Sequence, residues 1–210
     1  MNRRLVCFVL GALLASSARL SAGDLDRIRF DIFDSQGQVV VWLDLSPVIS
    51  ARRISQLKDG VDVAVECRAL LRRPRKIWGS ELIAESSRLL RIGYRLITED
   101  YRLTDYSFEP QSELTLLSLA KLHHYLADSV AVEIGARDLL DVEERYFIEI
   151  QVVCISLTSI NLASDGDREK KSESPVKYLF RKFLELTDFG REDFSARSRT
   201  FSAEEIPRVP

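Results

Sequence analysis

The sequence predicts a mainly β fold: an antiparallel, β-sandwich-like domain with two or three short helices. Two pairs of alternating segments read as hairpins, and a long late strand with apolar residues on both faces needs a second layer to cover it. Helical spacing is confined to short stretches opening at Ser46 and Ser112, which can close the ends of such a sandwich. Strands and helices do not alternate regularly, which argues against a parallel α/β sheet.

Asp26 to Phe33 sets Ile28, Phe30 and Ile32 against Arg27, Arg29 and Asp31, the period of a half-buried strand. Asp34-Ser35-Gln36-Gly37 is a turn, and Gln38 to Leu45 completes a hairpin. Ser46 as N-cap and Pro47 at the first helical position predict a helix, with Ile54 and Leu57 on its buried stripe and Gly60 at its exit. Val61 to Leu71 is the clearest strand: Val61, Val63, Val65, Cys67, Ala69 and Leu71 share one face, and Asp62, Glu66 and Arg68 the other. Pro74 interrupts it, and Trp78-Gly79 marks a bend or bulge.

Glu81 to Leu96 fits two readings. Leu82, Ile83 and Ala84 are compatible with a helix, whereas Leu90, Ile92, Tyr94 and Leu96 alternate as a strand that would turn near Glu99-Asp100 into Tyr101 to Tyr106. Ser112 to Leu126 has helical spacing with Ser112 as N-cap. Asp128 to Ile134 reads as a short strand and Leu139-Leu140 as one helical turn. Tyr146 to Leu157 reads as a long central strand with Ile148, Ile150, Val152 and Cys154 inward.

The chain ends differ from this body. Arg3 and Arg4 precede an uncharged apolar run, Leu5 to Ala15, which small and polar residues follow up to Gly23. That order predicts a signal peptide over residues 1–23 and an extracytoplasmic, periplasmic location. The run falls short of the roughly 20 residues of a spanning helix. Cleavage after Ala18 or after Gly23 fits, and an uncleaved anchor is the alternative. The β domain is expected over residues 24–163 and a charged linker over 164–174. A helix from Pro175 to Phe189 follows, carrying Lys177, Arg181 and Lys182 beside its aromatic residues, and then a polar tail from Arg191 expected to be poorly ordered. The helix could lie on a membrane, dock on a partner, or pack on its own sheet.

Apolar residues make up 46% and charged residues 30%, an ordinary globular mixture. The net charge of −2 gives no global field to attract nucleic acid. Cys67 and Cys154 remain once Cys7 leaves with the signal. An even pair in an oxidising compartment permits a disulfide, and two buried thiols are the alternative.

The run from Trp78 to Tyr101 resembles a bacterial exported family known as a domain of unknown function (number four-three-nine-zero). The shared order is a helix closing at Gly60, the strand Val61 to Leu71, a bend at Trp78, then Tyr94-Arg95-Leu96-Ile97-Thr98 and Tyr101. A leucine- and alanine-rich helix at Glu113 to Leu122 and the late strand at Tyr146 to Leu157 complete it. The resemblance spans about Ile28 to Leu162 and leaves out the tail from Ser164. It implies an exported, periplasmic domain and brings no activity, cofactor or catalytic residue with it.

No catalytic, cofactor-binding or metal-binding pattern stands out. His123 and His124 are adjacent, so on a helix they point about 100° apart and cannot easily share a metal. His123 should edge the core and His124 the surface. The sequence lacks Gly-x-Ser-x-Gly and any phosphate-cradling glycine loop. The lead is basic: Arg68, Arg72, Arg73, Arg75 and Lys76 bunch around Pro74 beside Trp78, with Arg88, Arg91 and Arg95 further on. Paired strands could merge these into one cationic face for an anionic envelope surface or an envelope protein; a plain solvated strand face is the alternative. The reading that follows is a non-enzymatic, extracytoplasmic interaction module of the bacterial envelope. A lipid- or small-ligand-binding periplasmic protein is the alternative, and an enzyme of unrecognised type a third.

Overall fold

The computed structural model describes residues 28–108, 110–157 and 191–209. The expected signal (1–23), charged linker (164–174) and basic helix (175–189) lie outside the described residues. Strands β1 (Arg29–Ser35) and β2 (Gln38–Asp44) form the first hairpin. Its two turn residues, Gln36 (φ 53°) and Gly37 (φ 81°), are both left-handed, as the tight turn matching strand twist requires. The amide of Gly37 donates to Asp34 Oδ1 at 2.8 Å and holds the turn.

With β7 (Val130–Ala136) and β10 (Arg208–Val209) this hairpin makes a four-stranded sheet, ordered β10-β1-β2-β7. Only β10 in it runs parallel to its neighbour. The second sheet is six-stranded and antiparallel throughout. It contains β3 (Asp62–Pro74), β4 (Ser80–Arg95), β5 (Asp100–Asp105), β6 (Ser112–Leu116), β8 (Phe147–Leu157) and β9 (Glu192–Arg197), in the order β6-β5-β4-β3-β8-β9. Inward rows of both sheets, such as Ile32, Val41 and Leu43 against Val65, Ile92 and Ile150, share one buried core. The fold is therefore mainly β and sandwich-like, as the alternation requires.

Four local expectations change. The helix expected at Ser46 becomes a single 3-10 turn (Ser46–Val48), because the Ser46 hydroxyl donates to Asp44 Oδ1 at 2.5 Å instead of capping a helix. Helix α1 (Ala51–Lys58) starts later, with Ser50 Oγ accepting from the Arg53 amide at 3.4 Å. The ambiguous Glu81 to Leu96 stretch resolves as the strand β4. The helix expected from Ser112 divides: Ser112–Leu116 pairs with the edge of β5, and α2 (Leu119–Asp128) is capped by Ser118. Alternation in Ser-Glu-Leu-Thr-Leu and an available edge outweigh the helical spacing there. Finally, the stretch from Arg191 is not a loose tail. It supplies β9 and β10 and puts Ala196, Phe201, Ala203 and Ile206 into the core.

Helix α1 is anchored to the six-stranded sheet through Arg53, whose side chain is almost wholly buried. Arg53 donates to Ser156 Oγ (2.6 Å) and the Cys154 carbonyl (3.2 Å) and pairs with Glu192 (3.6 Å), so it fastens the helix to β8 and β9. Cys67 and Cys154 are free and buried. Cys67 faces Val152 and Cys154 faces Val65, so the thiols are diagonal neighbours. Diagonal positions lie about 7–8 Å apart, beyond the roughly 4.4–6.8 Å that a disulfide usually spans. Burial pushes both thiols up, Cys154 to about 12.

Candidate functional site

The β3–β4 hairpin ends in a turn that holds side chains away from the domain. Pro74 and Ser80 are the last paired residues, and the Arg75 amide donates to the Gly79 carbonyl at 3.2 Å to close the loop. Gly79 takes a left-handed φ of 65°, which a side chain would strain. Between them Ile77 and Trp78 are 85% and 86% exposed. Burying such side chains is worth about 1.5–3 kcal/mol each, so leaving two adjacent ones in water is costly unless something covers them.

The arginines around this turn do not form one patch. Arg68 lies on the outer face of the sheet, some six residues back, and pairs with Glu66 at 3.2 Å. Arg72 meets Glu149 at 3.1 Å. Arg73 takes Glu81 at 2.8 Å and approaches Glu144 at 4.0 Å. The Arg73 guanidinium holds the Glu81 carboxyl below its ordinary value. Arg75 shares that same carboxylate at 3.8 Å. Among the described residues no carboxylate lies within ion-pair distance of Lys76. The structure thus brings Arg75, Lys76 and Trp78 together, adds Ile77, and commits Arg68, Arg72 and Arg73 to neighbouring strands.

Nor do Arg88, Arg91 and Arg95 extend the patch. The register puts Arg88 opposite Cys67 and Arg91 opposite Ala64, so they run away from the turn, and Arg88 points inward. Only 11% of its side chain is exposed. It donates to Asp105 Oδ2 (2.7 Å), the Ala131 carbonyl on β7 (2.8 Å) and Tyr125 Oη on α2 (3.4 Å), tying the two sheets together. Arg95 grips Asp100 through two bonds, at 2.6 and 2.8 Å, which hold the Asp100 carboxyl below its ordinary value.

Arg91 belongs to a polar hollow of about 270 Å³ on the outer face, lined by Asp62, Gly93, Arg102 and Glu113 among others. Gly93 makes the hollow: a Cβ there would stand 2.7 Å from the Asp62 carboxylate. Asp62 accepts from Arg91 Nε at 2.7 Å, and Arg102 bonds Glu113, so cations and carboxylates already match each other. Arg95, bound to Asp100, also lines the hollow, which therefore offers a charged, hydrogen-bonding surface.

His123 is half-buried and His124 exposed, with His124 Nδ1 2.8 Å from Asp128. Among the described residues no three His, Cys, Asp or Glu side chains converge as metal ligands. Sequence reasoning missed Ile77 and the Gly93 hollow. Ile77 was open to detection, since a turn between Pro74 and Gly79 exposes whatever it carries. The hollow was not, because Asp62 and Glu113 reach it only through strand register.

A family model described as Domain of unknown function (DUF4390) matches residues 23–156, most of the chain. No curated protein and no solved structure matches it.

Proposed function

Because the chain belongs to this family of unassigned function, we propose a role from its own surface: a non-enzymatic, extracytoplasmic interaction module of the bacterial envelope that docks through the β3–β4 turn. The observation that carries the reading is the pair Ile77 and Trp78, both more than four-fifths exposed, beside Arg75 and Lys76. A large aromatic, a branched apolar residue and two cations on a closed turn are the composition of a contact surface rather than of ordinary solvated loop. The charged-apolar-small order of residues 1–23 supports an extracytoplasmic setting. The hollow at Gly93 does not favour carriage of an apolar ligand, since its lining is charged.

Photo-crosslinking in the native host tests this. A benzophenone-bearing phenylalanine at position 78 should form adducts in intact cells, and the same group at position 97, on the opposite turn, should form far fewer. Equal adducts at both positions, or none at 78, would overturn the reading. N-terminal sequencing of the same protein checks the address: a chain beginning after Ala15 and no later than Asp24 is expected.

A further inference from the structure

We infer that the partner of the β3–β4 turn is the surface of an anionic lipid bilayer, which Ile77 and Trp78 enter at headgroup depth while Arg75 and Lys76 pair with phosphates. The inference rests on the docking reading above and names its partner. The turn is an exposed hairpin end, and its two bulky side chains are almost wholly open to solvent among the described residues. Tryptophan is the side chain most at home at a membrane interface, where its ring meets acyl chains and its indole N–H stays wet. Charge complementarity gives the sign of the lipid. Arg75 holds only a share, at 3.8 Å, of a carboxylate that Arg73 grips at 2.8 Å, and Lys76 has no carboxylate within ion-pair distance among the described residues. The neighbouring loop cannot follow the turn inward. Leu139 and Val142 are exposed there, but Asp138, Asp141 and Glu143 accompany them and are repelled by anionic headgroups. Contact is therefore confined to one turn, shallow and reversible. No helix among the described residues is long and apolar enough to cross a membrane, and none is needed for such contact.

The full chain with Trp42→Phe leaves Trp78 as its one tryptophan, because the sequence holds two. Mixed with vesicles of phosphatidylcholine containing about a third phosphatidylglycerol, its emission should shift to the blue and be quenched by lipids brominated in the acyl chain. Vesicles of phosphatidylcholine alone should give little change. Lys76→Glu should weaken binding about fivefold or more, the worth of one basic residue near an anionic surface. High salt should release the protein, since the attraction is screened over about 8 Å already at physiological ionic strength. Ile97→Ser on the other turn should bind as the parent does. These positions are exposed, and unchanged melting temperatures will show that each variant folds. Trp78 emission that ignores anionic vesicles, or answers neutral ones equally, overturns the inference. If position 78 then still crosslinks to a protein in cells, the docking reading stands with a protein partner. If it crosslinks to nothing, both fall.

Discussion

At one end of β4 the chain turns through Arg75-Lys76-Ile77-Trp78-Gly79, and at the other through Leu96-Ile97-Thr98-Glu99. The strand between them has 16 residues, so the turns stand roughly 50 Å apart along it. Both expose two large apolar side chains: Ile77 and Trp78 at the first, Leu96 (66%) and Ile97 (98%) at the second. Their charges are opposite. Among the described residues, the first turn leaves Lys76 without a carboxylate in ion-pair distance and Arg75 with a share of Glu81 at 3.8 Å. At the second, Asp100 holds Arg95 through two bonds, and Glu99 is exposed. Apolar exposure alone therefore does not pick out a binding turn in this molecule. What distinguishes the two is whether nearby cations have already found a carboxylate, which only strand pairing decides.

The largest effect expected from breaking the scaffold that separates the turns is at Asp105. Its side chain is 1% exposed and receives Arg88 from the middle of β4. Asp105→Ala leaves a guanidinium facing the core unpaired, which costs about 3 kcal/mol or more. For a domain of this size that lowers the melting temperature by about 6–12 °C. Arg88→Met with Asp105→Leu together should recover most of the loss, because the uncompensated charge then disappears. A melting temperature unmoved by Asp105→Ala would mean that the pair does not join the sheets.

How much of this was open to inspection in the sequence follows from the same geometry. The alternation Val63, Val65, Cys67, Ala69, Leu71 shows through because one face of β3 packs on a core. The strand β4 hides its nature because its pairing with β3 slips between Leu71 and Arg72, so no single period runs through Leu82, Ile83 and Ala84. The helix cap moved from Ser46 to Ser50 for want of knowing that Asp44 would claim the Ser46 hydroxyl. The arginines are the sharpest case. Arg72, Arg75 and Arg88 look alike in the sequence, yet one meets a carboxylate across a strand, one shares a carboxylate near the turn, and one lies between the sheets. Each fate depends on a partner 6 to 77 positions away, which local pattern does not reach. The family itself was legible, since the resemblance rests on local signals and the family model matches residues 23–156.

Acid should weaken both ends of the hairpin without telling them apart. Near the first turn Arg73 lowers the Glu81 carboxyl, and near the second Arg95 lowers Asp100. Arg137 does the same to Asp34 beside the β1–β2 turn. In the unfolded chain these carboxyls titrate near their ordinary values of 4.5 for Glu81 and 3.8 for the two aspartates. Folded pKa values below those mean that the unfolded chain binds protons first. The stabilisation is then complete above about pH 5 and drains as the pH falls through the carboxylate range. Denaturant midpoints measured from pH 7 to pH 3 should be flat at first and then decline. Stability that rises on acidification would mean that these ion pairs do not form in solution.

The smallest expected change in stability is the one that sharpens the comparison most. Glu99→Lys at the second turn converts an acidic apolar loop into a cationic one without touching the β3–β4 turn. Glu99 is exposed and takes a left-handed φ of 51°, which lysine adopts no worse than glutamate. It lies outside the Arg95–Asp100 pair, so stability should change by no more than about 0.5 kcal/mol. Association with anionic vesicles should nevertheless rise, because Leu96 and Ile97 would then have a cation beside them and no acid. In a Trp78→Ser background, where the first turn is disabled, that gain should be the main binding that remains. If Glu99→Lys folds normally and binds no better than its parent in that background, charge beside exposed apolar residues is not what separates the turns. The preference for the first would then have to come from Trp78 itself, which serine at 78 alone, with Glu99 intact, would reveal as a complete loss of binding.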